Sequence, residues 1–149
     1  MKKLLLATFI TFLFLTSCKS TNCNKLCTTE PQPFLFELVD KSTGENVFTN
    51  NTYESRYIKI INLDDESRVN FSFLDEDDYN ILMISSIGWQ TEIINCSIKI
   101  DNNEIFTLYV DADRLSEDCC SYTKYNEIKI DNTGYTYNQE NGIYTILIE

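Results

Sequence analysis

Apolar and polar residues alternate along much of the chain. Val69, Phe71 and Phe73 are interleaved with Asn70 and Ser72, and Phe106, Leu108 and Val110 with Thr107 and Tyr109. The pattern recurs at Ile98/Ile100, Ile128/Ile130 and Tyr144/Ile146/Ile148. A period of two places each set on one face of a β-strand. Turn-forming residues separate the runs. Lys41–Asn46 follows Phe34–Val39, Asp101–Glu104 joins Ser97–Ile100 to Ile105–Val110, and Asp131–Gly134 leads into Tyr135–Tyr137. Asn141-Gly142 is the strongest hairpin signal, because both residues tolerate positive φ. Eight or nine short strands at this spacing predict an all-β domain with antiparallel pairing across the short connections. An antiparallel β-sandwich of immunoglobulin-like or transthyretin-like type is the expected fold, with a small β-barrel as the alternative. The composition agrees. The chain has 17 Ile and only 2 Ala among 149 residues, which suits a pleated sheet better than a helix.

The N-terminus follows another rule. Lys2 and Lys3 precede an apolar run from Leu4 to Leu15, broken only by Thr8 and Thr11. As a helix at ~1.5 Å per residue it reaches only ~18 Å, short of the ~30 Å hydrocarbon core. Leu15-Thr16-Ser17-Cys18 closes the run and resembles the lipobox of bacterial lipoproteins: an aliphatic residue, two small residues, then cysteine. The resemblance implies removal of residues 1–17 as a signal peptide and attachment of diacylglycerol to the Cys18 thiol. Acylation of the new amine, as by palmitate, would follow. Two or three acyl chains hold a protein firmly where one dwells only briefly. Cell-envelope localisation follows, with the outer membrane as the expected site. The chain as a whole resembles the small lipoproteins of Bacteroidetes.

Residues 18–33 are polar, contain Leu26 as their one large apolar residue and end in Pro31-Gln32-Pro33. They read as a flexible tether, with residues 34–149 as the single domain. Residues 38–47, Leu-Val-Asp-Lys-Ser-Thr-Gly-Glu-Asn-Val, resemble the opening hairpin of carboxypeptidase-regulatory-like domains. That likeness bears on fold class alone.

Charge narrows the range of functions. Lys and Arg number 12 against 23 Asp and Glu, a formal net charge of −11. After processing, ten basic side chains face the same 23 acidic ones, giving −13. This argues against nucleic acid, whose recognition needs a basic footprint. The sequence has no His, which removes His-based triads and the commonest metal ligand. No nucleophile elbow or phosphate loop occurs, so an enzyme is not expected and no cofactor is implied.

Three groups of residues remain as candidates. Among the cysteines, Cys96 with Cys119 or Cys120 would clamp two strands, leaving the other of that pair free, joined to Cys23 or Cys27, or bonded to its neighbour. Cys23 and Cys27 would close a small local disulfide or stay as two unpaired thiols. The acidic clusters Asp64-Asp65-Glu66 and Asp75-Glu76-Asp77-Asp78, together with Asp111 and Asp113, offer hard oxygen ligands for Ca²⁺. Their spacing departs from the EF-hand loop, and solvated loop tips are the plainer expectation. Tyr122, Tyr125, Tyr135, Tyr137 and Tyr144 crowd the last three strands, and Trp89 stands in an Ile-Gly-Trp segment. Cross-strand packing with wet hydroxyls is expected of these tyrosines, although Tyr also serves recognition surfaces. The expected function is a lipid-anchored binding or accessory module for an envelope protein partner. A carbohydrate- or calcium-binding module is the alternative, and a carboxylate-dependent hydrolase ranks third.

Overall fold

The computed structural model describes residues 27–76, 79–117 and 119–149. The chain forms β1 (Cys27–Thr28), β2 (Phe34–Asp40), β3 (Ile58–Asn62), β4 (Ser72–Leu74) and β5 (Ile81–Ile84). It continues through β6 (Glu92–Ile100), β7 (Asn103–Glu117), β8 (Cys120–Asp131), β9 (Gly134–Asn138) and β10 (Ile143–Ile148). Two five-stranded sheets result, ordered β1-β8-β7-β6-β3 and β4-β5-β2-β10-β9. They pack face to face as a β-sandwich.

The alternating residues build the shared core. Phe34, Phe36, Leu38, Leu82, Ile84 and Ile146 come from the second sheet, and Ile60, Cys96, Ile98, Phe106, Leu108 and Val110 from the first. Phe36 and Phe106 meet across the sheets with ring centroids 5.0 Å apart. The core strands bury chiefly one face, which is why the period of two is so readable, although Val39, Ile81 and Ser97 are buried on the other.

Pairing differs from the antiparallel expectation in two places. β10 runs parallel to β2 over six residue pairs, from Ile143↔Leu35 to Ile148↔Asp40, and β1 runs parallel to β8. Both sheets are mixed. Short connections do give antiparallel neighbours, as at β6–β7 and β7–β8. The parallel contacts join segments far apart in sequence, where no connection dictates direction.

Three local differences matter for the site. First, residues ahead of Phe34 pack on the domain. Thr29 N donates to Ser121 O at 2.8 Å, Tyr125 Oη donates to Gln32 O at 3.0 Å, and Pro31 is buried. Residues 27–33 of the expected tether thus belong to the domain. Second, the return segment of the hairpin expected over residues 38–47 makes only a single bridge, Val39↔Asn46. Asp40 accepts from Ser42 N, Ser42 Oγ and Thr43 N in that turn. These bonds hold its carboxyl below the usual range, the Ser42 hydroxyl most of all. Third, β7 and β8 form a hairpin that continues past the start of β6, pairing Asp113↔Lys124 through to Glu117↔Cys120.

Candidate functional site

Where the two sheets part, between β8 and β9, tyrosines line a cleft. The β9–β10 register sets Tyr137 opposite Tyr144 and Tyr135 opposite Ile146. Directly paired residues share a face, so Tyr135 and Tyr137 stand on the inner face of their sheet. Among the described residues, no strand of the first sheet lies beyond β8 to cover them except β1, which meets β8 at Cys120 and Ser121 alone. Each ring is consequently 44% exposed. A file of aromatic contacts leads inward from this edge. Tyr137 and Tyr144 centroids lie 4.4 Å apart, Tyr144 and Phe36 5.6 Å, and Phe36 and Phe106 5.0 Å.

The opposite wall depends on a bulge. Asp111 pairs with Glu127 but Ala112 pairs with Tyr125, leaving Asn126 as an extra residue in β8. One added residue reverses the facing of everything that follows it. Tyr125 and Thr123 are thereby turned inward, in phase with Ile128. Tyr125 packs edge-on against Phe34 at 5.3 Å. Burial raises its phenol pKa, with a further rise from Glu92 and an opposing effect of Arg114. Tyr144 is likewise raised by burial first and by the neighbouring Tyr137 and Tyr135 second. Both phenols are protonated donors at neutral pH.

The cleft between these walls holds about 50 Å³. Small-molecule pockets run to roughly 300–1,000 Å³. The space fits the end of one side chain and is far too small for a sugar ring. What the site offers is an aromatic surface with one shallow socket.

The other sequence candidates fall elsewhere. Cys18, Cys23, Asp77 and Asp78 lie outside the described residues. Cys27 forms a disulfide with Cys120, Cα atoms 4.5 Å apart, and not the local one expected with Cys23, because β1 pairs beside β8 and sets Cys27 opposite Cys120. Cys119 is disulfide-bonded as well. The clamp expected between Cys96 and the Cys119-Cys120 pair does not form, since Cys96 is a free thiol buried in the core. Its Sγ contacts Leu108 O at 3.6 Å, and burial pushes its pKa up to about 12. Cys119 sits in the β7–β8 turn with φ +70°, so it and Cys120 are not neighbours along one straight strand.

Asp111 and Asp113 do share a face, the outer one of β7. Asn126 Nδ2 reaches both, at 3.4 and 2.9 Å. The bulged residue therefore serves them as a common amide donor on the outer sheet surface. Asp65 accepts from Ser67 N and is lowered in pKa mainly by the Ser67 hydroxyl, while Glu66 takes φ +60°. This acidic cluster shapes a tight turn. Asp75 lies in the loop after β4. Among the described residues, no three His, Cys, Asp or Glu side chains gather where a metal ion could sit. A wider hollow of about 410 Å³ opens at the far end of the sandwich beside Glu104 and Glu149. Both Glu104 oxygens are engaged there, by Ser97 Oγ at 2.6 Å and Asn132 Nδ2 at 2.9 Å.

Trp89 lies in the β5–β6 loop, 49% exposed, with Nε1 donating to Ser85 O at 2.9 Å and the Arg114 guanidinium 5.8 Å from its ring. Ile87 fills the core from the same loop, and Gly88 takes φ +93° with Thr123 and Tyr125 pressed against it. A Cβ at Gly88 would lie 2.9 Å from both neighbours, so only glycine fits.

The sequence matches no protein-family model, and searches of curated proteins and of solved structures likewise return no match.

Proposed function

We propose that this protein is a cell-envelope lipoprotein, held to its membrane by lipid at Cys18, whose β-sandwich binds a positively charged protein partner at the tyrosine cleft. The observation that carries this is the pair Tyr135 and Tyr137. They stand on an inner sheet face, in ring contact with the core through Tyr144, yet remain half open to solvent. Large, rigid, amphipathic rings at low entropic cost are what recognition surfaces favour. The anchor and the charge supply the setting. A net charge of −13 on the processed chain would draw basic partners and speed their association at low salt.

Capture from solubilised native membranes tests this. Wild-type protein is expected to retain a basic partner at 50 mM salt and to lose much of it at 500 mM. The Tyr135→Ser/Tyr137→Ser double variant, with an unchanged circular-dichroism spectrum, is expected to retain at least about tenfold less, as central tyrosine anchors do. Leu63→Ser, an exposed site on another strand connection, should behave as wild type. Equal retention by the double variant contradicts the proposal.

A further inference from the structure

Resting on the reading of the domain as a binding module, we infer that β9 is the acceptor edge for an extended, basic segment of the partner, which adds a sixth strand to the second sheet. An unpaired strand edge is a row of free backbone donors and acceptors, and folded proteins blunt such edges with charge, proline, bulges, shortness or cover. Three of the four sheet margins here are treated in that way. β8, beyond its two-residue contact with β1, carries Lys124, Glu127 and Lys129 as well as the Asn126 bulge. β3 carries Lys59 and is overlaid by the chain returning from its turn, with Asn62 N donating to Ser67 O and Val69 N to Ile60 O. β4 is three residues long.

Among the described residues, β9 has none of these devices. Its sequence Gly-Tyr-Thr-Tyr-Asn holds no charge and no proline, every residue is exposed, and its register with β10 is unbroken. It is also the strand that flanks the tyrosine cleft. A segment pairing with β9 would send alternate side chains toward the inner face. There they would cover Tyr135 and Tyr137, and a small one would enter the 50 Å³ socket.

Charge selects the occupant. Asp131 and Glu140 flank β9 in sequence, Lys129 is occupied by Glu127 at 2.9 Å, and the whole chain carries −11. A second copy pairing edge to edge would bring identical acidic flanks together. An extended segment with net positive charge and small alternate side chains meets both the backbone and the field.

Photocrosslinking in the native host, with p-benzoylphenylalanine placed in the full-length chain, decides the matter. Position Thr136 on β9 is compared with Tyr79 and Ile93, which are exposed elsewhere. Thr136 is expected to yield an adduct with one other protein, mapping to a stretch of five or more residues with net positive charge. A synthetic peptide of that stretch should slow hydrogen exchange of β9 amides at least tenfold. An adduct with a second copy of this chain, or with a folded or acidic surface, overturns the inference. Adducts from Tyr79 or Ile93 alone would leave the binding module standing and remove β9 as its edge. No adduct at any position overturns both.

Discussion

Replacing Phe36 with alanine is expected to lower the unfolding free energy by about 3–5 kcal/mol, the range for a large aromatic removed from a well-packed core. Phe36 is fully buried at the junction of the two sheets, touching Phe106 on one side and Tyr144 on the other. Its removal leaves a cavity where sheet meets sheet and takes the support from beneath the cleft. The effect should therefore reach beyond stability. With Phe36 gone, Tyr144 loses the ring it packs on, and Tyr137, 4.4 Å further out, loses its fixed position. Urea unfolding of the purified domain measures the first effect, and partner capture by the still-folded fraction measures the second. A loss under 1 kcal/mol would mean that the two inner faces do not interlock as described.

Reduction of the disulfides is expected to produce the other large change. Cys27 and Cys120 are 93 residues apart, and closing so long a loop removes about 4–5 kcal/mol of chain entropy from the unfolded state. For a domain of this size the melting midpoint should fall on the order of 15 °C in reductant. The damage should start at one end, because the disulfide fixes β1 to the overhanging β7–β8 hairpin. Tyr125 would lose Gln32 O as a hydrogen-bond acceptor when β1 leaves, opening the cleft from the side. Cys96 reports on the process without interfering. Burial holds its thiol near pKa 12, against 9.0 when exposed, so it resists alkylation until the fold opens. Coincident melting curves for oxidised and reduced protein would contradict this account.

The sequence was most legible where one strand face is buried and the other wet. The alternations at Phe106–Val110 and Tyr144–Ile148 mark real strands because the core is their only apolar environment. The pattern weakens where that contrast fades. Asp113 to Glu117 and Cys120 to Lys124 are mostly polar, since that part of their hairpin extends past the start of β6, and no period of two announced it. Val69 and Phe71 alternate like a strand and do pack on the core, yet only Ser72–Leu74 forms a strand, the segment before it making a single bridge, Ile61↔Arg68. Burial alone sufficed to impose their pattern.

Long-range pairing was illegible for a different reason. Nothing local in Phe34–Asp40 states that Ile143–Ile148 will lie parallel beside it, and no spacing selects Cys27 for Cys120 among the available partners. The crowding of tyrosines in the last three strands was visible in the sequence. That Tyr125 faces inward was not, because the facing is set by one extra residue at Asn126.

The direct test of the whole proposal is the intact mass and N-terminal peptide of the protein purified from its own membranes. A chain beginning at Cys18, with a diacylglyceryl thioether and an acylated amine, is the result required for a module moored at the envelope. A chain that keeps residues 1–17, or begins at an unmodified Cys18 thiol, would contradict it.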